Sequence, residues 1–287
     1  INCQDNAYKY GKISNVKEEY KKVKEYWEDI TGKVHVKTPV ESMNILLNGW
    51  LIYQTISARL LARSGYYQSG GAFGFRDQLQ DTIALKYINP EIMKNQIIKH
   101  SSHQFIEGDV EHWWHDETRR GIRTRFSDDL LWLAYITEEY INFTGDYTIL
   151  DIKTNYIEGA DLEEGTDEKY DKYLPSKESG TIYEHCKKAI EKKINLGEND
   201  LPTIGSGDWN DGFSTVGNKG KGESIWLGFF LSDILKKFIP LCKYKGEDEL
   251  AKKYEEILNK LKKALNTTGW DGRWYRRAFT DKGEILR

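Results

Sequence analysis

The sequence predicts an all-α fold in which helical hairpins close into a toroid. Three observations lead there. Apolar residues recur at i, i+3, i+4 and i+7 through most of the chain, strand-like alternation is nearly absent, and no repeat of fixed period marks an open solenoid. The periodic segments are 16–30, 43–63, 78–88, 91–105, 128–143, 182–194, 224–244 and 247–265. Their boundaries carry ordinary helix signals: Ser127 precedes Asp128 and Asp129, Asn89-Pro90-Glu91 places a proline in a first turn, and Gly145 or Gly197 ends a helix. The acidic, lysine-rich stretch 151–179 reads as a surface excursion. Some connections are short, but 65–77, 108–128 and 197–223 are long and loaded with Gly, Trp, Asp and Arg. If the helices alternate up and down, these long loops all feed helix N-termini on one rim.

With 287 residues, 39% of them hydrophobic, the chain can bury a sizeable core. A net charge of -3 and a pI near 6.2 give no basic field to hold nucleic acid or an anionic membrane surface. No apolar run approaches the roughly 20 residues that cross a bilayer, and Ile1-Asn2-Cys3-Gln4-Asp5 lacks signal-peptide character. Cys3, Cys186 and Cys242 are too scattered for a disulfide framework or a zinc knuckle, so a reducing, cytoplasmic setting is the expectation. The chain begins without Met and stops at Gly283-Glu284-Ile285-Leu286-Arg287, which reads as a piece of something longer. Nine Trp and 18 Tyr offer faces for apolar ligand surfaces such as sugar rings, although a large helical core also consumes aromatics.

Three loops carry the chemistry. The first, from Ser69 through Gly70-Gly71-Ala72-Phe73-Gly74-Phe75 to Arg76-Asp77-Gln78-Leu79-Gln80-Asp81, sets Arg76, Asp77, Gln80 and Asp81 within about 1.5 turns of a helix start, as hydroxyl binders or as a structural ion pair. The second holds His112-Trp113-Trp114-His115 and then Arg123, Arg125, Asp128 and Asp129. Two histidines without a third ligand do not make a metal site, so Trp113 and Trp114 are read as a sugar platform. Arg123 and Arg125 alternate in an extended segment, where they bind an anion or anchor Asp128 and Asp129, with anchoring favoured. The third, Gly205-Ser206-Gly207-Asp208-Trp209-Asn210-Asp211-Gly212, packs two carboxylates, an amide and an indole between glycines. That composition suits a carboxylic acid held beside a ring, or an Asx-rich turn. It does not match an EF-hand, since Gly212 comes early, and the stretch 217–224 is not a Walker loop, since Glu223 stands where a P-loop needs Lys.

In order, GFRDQLQD, GDVEHWWHDETRRGIRTRFSDDLLWL and GSGDWNDG followed by GESIWLGFFL resemble glycoside hydrolase family 94, the inverting β-glucoside phosphorylases, over most of the chain from about Asn44 to Arg277. The resemblance implies an (α/α)6 barrel at 41–287, incomplete at its C-terminal end, preceded by a helical linker at 1–40 with the family's N-terminal β-sandwich absent. It implies Asp211 as general acid, Trp209 lining the cleaved sugar site and Asp77 binding donor-site hydroxyls; Arg76, Asp81, Asp208, Asn210 and Arg125 complete the expected binding set. Gly71 stands where the cellobiose-cleaving branch has Arg, and the HWWH and GDWNDG forms are similar to the β-1,2-oligoglucan phosphorylase, cyclic β-1,2-glucan synthase and chitobiose phosphorylase branch.

The implied reaction is attack of inorganic phosphate on the anomeric carbon of a β-gluco-oligosaccharide while Asp211 protonates the departing oxygen, with no metal or organic cofactor. One acid suffices, because phosphate is already an anionic nucleophile. The resemblance places most phosphate contacts beyond Arg287 and implies a homodimer. Two rivals stand beside it: an inverting glucoamylase-like hydrolase using Asp208 or Glu223 as base, and a non-catalytic carbohydrate-binding fragment.

Overall fold

The computed structural model describes residues 3–61 and 70–287; the end of the helix expected to reach Arg63 and the loop residues from Gly65 to Ser69 lie outside the described residues. Helices dominate: α1 (Cys3–Tyr10), α2 (Ile13–Gly32), α3 (Glu41–Ile45), α4 (Leu51–Gln54), α5 (Phe75–Leu85), α6 (Pro90–Ser101), α7 (Leu131–Thr144), α8 (Ile182–Lys193), α9 (Ile225–Tyr244) and α10 (Asp248–Asn266). In place of one uniform helix at 43–63, α3 and α4 alternate with π-helical turns at Leu46–Trp50 and Thr55–Leu61. The side chain of Asn89 accepts from the Glu91 backbone at the start of α6, Thr181 and Glu184 form a capping box on α8, and Gly145, at φ 71, closes α7.

One core joins the helices from α5 to α10. It runs through Phe75 and Leu79, Ile97, Leu133 and Ile136, Cys186 and Ile190, Leu235 and Phe238, and Tyr254 and Leu261. Full burial of each such aliphatic side chain contributes about 1.5–3 kcal/mol. A separate small cluster, in which Trp27 and Ile30 of α2 meet Ile56, Leu60, Leu85 and Ile88, attaches the N-terminal helices. No helix among the described residues is long and apolar enough to cross a membrane.

The expectation of an all-α fold is corrected by three small sheets. The first has the order β1 (Phe73–Gly74), β2 (Glu111–His115), β3 (Arg120–Thr124), β5 (Glu168–Lys172), all antiparallel; the second pairs β4 (Lys153–Glu158) with β6 (Leu174–Thr181); the third orders β7 (Glu223–Ser224), β8 (Ala278–Phe279) and β9 (Ile285–Leu286). Several of these strands are two residues long, and β5, reading EKYDK, is polar on both sides, so no apolar alternation announces them. The excursion at 151–179 is therefore mostly folded strand.

These strands bring the loaded loops together. β1 runs directly into α5 and so sets Arg76 and Asp77 at its first turn, while β7 runs directly into α9. Beyond β3, Phe126 bridges to Gly205 and Gly207, and the Ser127 hydroxyl donates to the carbonyls of Ile204 and Gly207 at 2.7 and 2.9 Å. Gly205 adopts φ +61, and a Cβ there would lie 2.1 Å from the Arg125 carbonyl oxygen, so only glycine permits this approach.

Arg123 anchors the second loop, but not to Asp128 or Asp129 as the sequence suggested. It is 1% exposed, donates to both carboxylate oxygens of Asp109 at 2.6 and 2.9 Å, reaches Glu107 and Asp161, and lies 4.0 Å from the Phe105 ring. Removing one partner of a buried pair strands the other charge. Arg123→Met is expected to cost about 3–5 kcal/mol of unfolding free energy in chemical denaturation; a loss below about 1 kcal/mol, the scale of an exposed pair, would contradict this placement.

Candidate active site

A buried cation sits where the three loops meet. Arg76, 7% exposed, donates through Nη1 to both Asp128 carboxylate oxygens at 3.2 and 3.4 Å and to the Asp208 carbonyl oxygen at 3.3 Å, and through Nη2 to Asp211 Oδ1 at 2.8 Å. Asp128 also accepts from Trp132 Nε1 at 3.0 Å. Its neighbour Asp129 pairs with His112 Nδ1 at 2.7 Å, and the His112 ring stacks on Phe126 with centroids 4.5 Å apart. Two carboxylates and two cations thus share one buried site. Burial and then the charge of Asp129 push the Asp128 carboxyl up to about 7, against the pull of Arg76.

The two acids of the Asp-Trp-Asn-Asp motif are held very differently. Asp208 is wholly buried: Oδ2 accepts from Ser224 Oγ at 2.6 Å, and Oδ1 accepts from Arg277 Nη2 at 2.6 Å and the Asn210 backbone at 3.0 Å. Ser224 is also the N-cap of α9, accepting from the Leu227 backbone, so Asp208 ties the loop to a helix start. Asp211 has a side chain 57% exposed, and its Oδ2 has no partner among the described residues. Between them, Asn210 Oδ1 accepts from the Gly212 backbone in an Asx-type turn, and half-exposed Trp209 donates to Gln80 Oε1 at 3.4 Å, which links the motif to α5.

Arg59, in the π-helical turn before the first loop, donates to Asp81 of α5 at 2.8 Å and stands 4.0 Å from Asp77. Asp81 rises above the ordinary aspartate range through burial, opposed by Arg59. Asp77, the residue after Arg76, shares this helix start with the Asp211 contact. The remaining candidates lie apart from the cluster. Trp113 packs edge-on to His115 and against Tyr170, beside a small cavity of about 220 Å³ lined by Gly70, Ala72 and Gly74. Arg125 donates to the carbonyls of Thr166, Leu162 and Glu163, and does not reach Asp128 or Asp129. Trp114 corrects the platform reading: it is wholly buried between Phe73 and His103 and cannot offer a face to a sugar. His112 engages Asp129 while His115 Nε2 meets the Gly70 carbonyl; among the described residues no group of three or more His, Cys, Asp or Glu could hold a metal ion. Arg277 and Ser224 went unsuspected, because their link to Asp208 spans 69 and 16 residues and leaves no local spacing to read.

Residues 26–286 match the profile described as "Glycosyl hydrolase 94 superfamily, catalytic domain". The chain is similar to the cyclic beta-(1,2)-glucan synthase NdvB of Rhizobium meliloti, with 44% identity over 90% of this chain and 9% of the relative. It is also similar to the solabiose phosphorylase of Paenibacillus borealis, with 32% identity over 89% of this chain and 30% of the relative, and to the N,N'-diacetylchitobiose phosphorylase of Vibrio proteolyticus, with 26% identity over 96% and 36%. The chain therefore spans between 9% and 36% of the length of these three relatives.

The His112–Asp129 pair has a pH signature. Burial, the largest influence, disfavours the imidazolium, but the charge and hydrogen bond of Asp129, aided by Asp211, outweigh it and push His112 up to about 9. A folded value above the unfolded one, about 6.5, means that the stabilisation is complete below pH about 6.5 and is lost as pH rises through 9. Ring NMR of the folded chain should show His112 titrating near pH 9, with Asp129→Asn moving the titration down by more than one unit. A wild-type ring that titrates at or below its ordinary value would show that the pair does not form.

Proposed function

The chain belongs to the glycosyl hydrolase 94 superfamily, and on that premise we propose that it acts as part of an inverting phosphorylase of β-linked gluco-oligosaccharides. Residues 41–287 contribute an incomplete (α/α)6 catalytic barrel and 1–40 a helical linker. Phosphate attacks the anomeric carbon from the face opposite the leaving sugar, releasing α-glucose 1-phosphate, and Asp211 Oδ2 gives its proton to the departing oxygen. The activities of the solabiose and N,N'-diacetylchitobiose phosphorylases support the reaction class.

The observation that carries the assignment is the asymmetry between the two motif acids. Both oxygens of Asp208 are consumed by Ser224, Arg277 and the loop backbone in a fully buried site, whereas Asp211, held at Oδ1 by Arg76, presents to solvent an oxygen with no partner among the described residues. An inverting hydrolase needs a second carboxylate able to activate water across the ring. Neither acid suggested for that role is accessible: Asp208 is wholly buried, and Glu223, 1% exposed, accepts from the backbone of Asn199 and Leu201 and from the Asn199 side chain. Trp209 offers its half-exposed indole as the sugar platform, and Arg76, fixed by Asp128, positions Asp211. Asp77, Asp81 and Asn210 are assigned to the binding surface around this centre, and Trp113 and Arg125, which lie apart from it, to outer parts of that surface.

In the parent protein, Asp211→Asn is expected to slow phosphorolysis of an ordinary β-glucoside by about 10² to 10⁴-fold, the range usual for a general acid, with a much smaller change in substrate binding. A glucosyl fluoride, whose leaving group departs without protonation, should retain turnover. Asp208→Asn should instead lower the melting temperature, since it leaves Arg277 facing a group that cannot balance its charge. The reversed pattern, with Asp208→Asn sparing only the fluoride and Asp211→Asn behaving as wild type, would overturn the assignment.

A further inference from the structure

A cavity of about 520 Å³ opens behind β2, between α6, the turn at 116–119 and the β4–β6 pair. It shares no residue with the cluster around Arg76, yet β2 serves both: His112 faces the cluster, while Glu111 and Trp114 line the cavity. Its volume lies within the roughly 300–1,000 Å³ usual for ligand sites.

The lining is an aromatic plate with unspent donors beside it. The His103 ring lies nearly flat on buried Trp114, with centroids 3.8 Å apart and planes at 19°, and lines the cavity with its side chain 20% exposed. His103 Nδ1 is bonded to Glu111 Oε2 at 2.5 Å. Burial pushes the Glu111 carboxyl up to about 8 and His103 down to about 3, so an uncharged pair is favoured at neutral pH. Whichever partner holds the shared proton, His103 Nε2 carries a hydrogen, and no hydrogen bond from it is made within the described residues. Arg119 stands at the rim with φ +54, a conformation that glycine would adopt with less strain, and its guanidinium makes no hydrogen bond or ion pair with the described residues. The other charges are already balanced, since Lys99 pairs with Asp116 at 2.6 Å and Asp116 also accepts from Trp114 Nε1. Ile98, Ile157 and Pro175 supply an apolar wall.

An aromatic ring on the cavity wall, an apolar wall beside it and two donors without partners among the described residues match an uncharged ring that is apolar on its C–H face and rich in acceptors at its edge. We propose that this cavity is a second, non-catalytic saccharide site that stacks one glucosyl unit of a β-linked oligosaccharide on His103 and hydrogen-bonds its oxygens through His103 Nε2 and Arg119. The choice of ligand rests on the proposed action on β-glucosides.

The test is calorimetric titration of β-1,2-, β-1,3- and β-1,4-linked glucotetraoses into the chain carrying Trp209→Ala and Asp211→Asn, which disables the candidate active site. At least one tetraose should bind. Adding Arg119→Gly, which suits the backbone conformation and so should leave the melting temperature unchanged, should weaken that binding about tenfold or more, as expected for a lost charge-assisted hydrogen bond. His103→Phe, which keeps the plate and removes the donor, should weaken it as well. Absence of binding by every tetraose, or unchanged affinity in either variant, overturns the inference. If the parent protein phosphorolyses β-glucosides while the cavity binds nothing, only this inference falls; if the cavity binds while phosphorolysis is absent, the functional reading falls instead.

Discussion

The arrangement depends on one buried guanidinium. Arg76 spans from Asp128, which is inaccessible to solvent, to Asp211, which is mostly exposed, and takes the Asp208 carbonyl on the way. A planar fork of donors can serve partners in different directions at once, which the point charge of a lysine cannot. Asp128 needs this cation, because burial beside Asp129 lifts its carboxyl even against the pull of Arg76. Asp129 is balanced in turn by His112. The result is a compact set of two acids and two cations whose internal pairing fixes where the one solvent-facing acid stands.

The sheets hold that cluster in place by means the helices could not supply. β1 and β7 are two-residue strands that deliver the chain straight into the first turns of α5 and α9. The segment after β3 zips onto Gly205 and Gly207. Each of the three loops is therefore bonded to backbone on another loop or strand, and the acid-bearing motif is additionally clamped at Asp208 by Ser224 and Arg277. β2 also joins the cluster on one side to the His103 cavity on the other.

Much of this was legible in the sequence where the signal is local. The 3.6-residue periodicity placed the long helices, and the crowding of Asp208, Trp209, Asn210 and Asp211 between glycines marked the motif that meets Arg76. What escaped is non-local or lacks a period. The Arg277 and Arg76 contacts join residues 69 and 135 apart in the chain, so neither can be read from spacing. Short strands paired through backbone alone, such as β5, impose no apolar alternation. Arg123 and Arg125 look equivalent on paper, but Arg125 lies beyond the end of β3, so strand alternation does not govern it; it points to backbone carbonyls while Arg123 is buried against Asp109. Adjacent tryptophans likewise divide, Trp113 partly open and Trp114 entirely core.

If Arg76 acts on the reaction chiefly by holding Asp211, the two residues must be energetically coupled. The direct measurement is a double-mutant cycle on the kcat of phosphorolysis in the parent protein with Arg76→Lys and Asp211→Asn, because lysine keeps a charge for Asp128 but cannot bridge both acids. The account predicts that Arg76→Lys slows the wild-type enzyme markedly and costs almost nothing further once Asp211 is asparagine. Losses that simply add would mean that Arg76 serves the reaction without Asp211, and would contradict it.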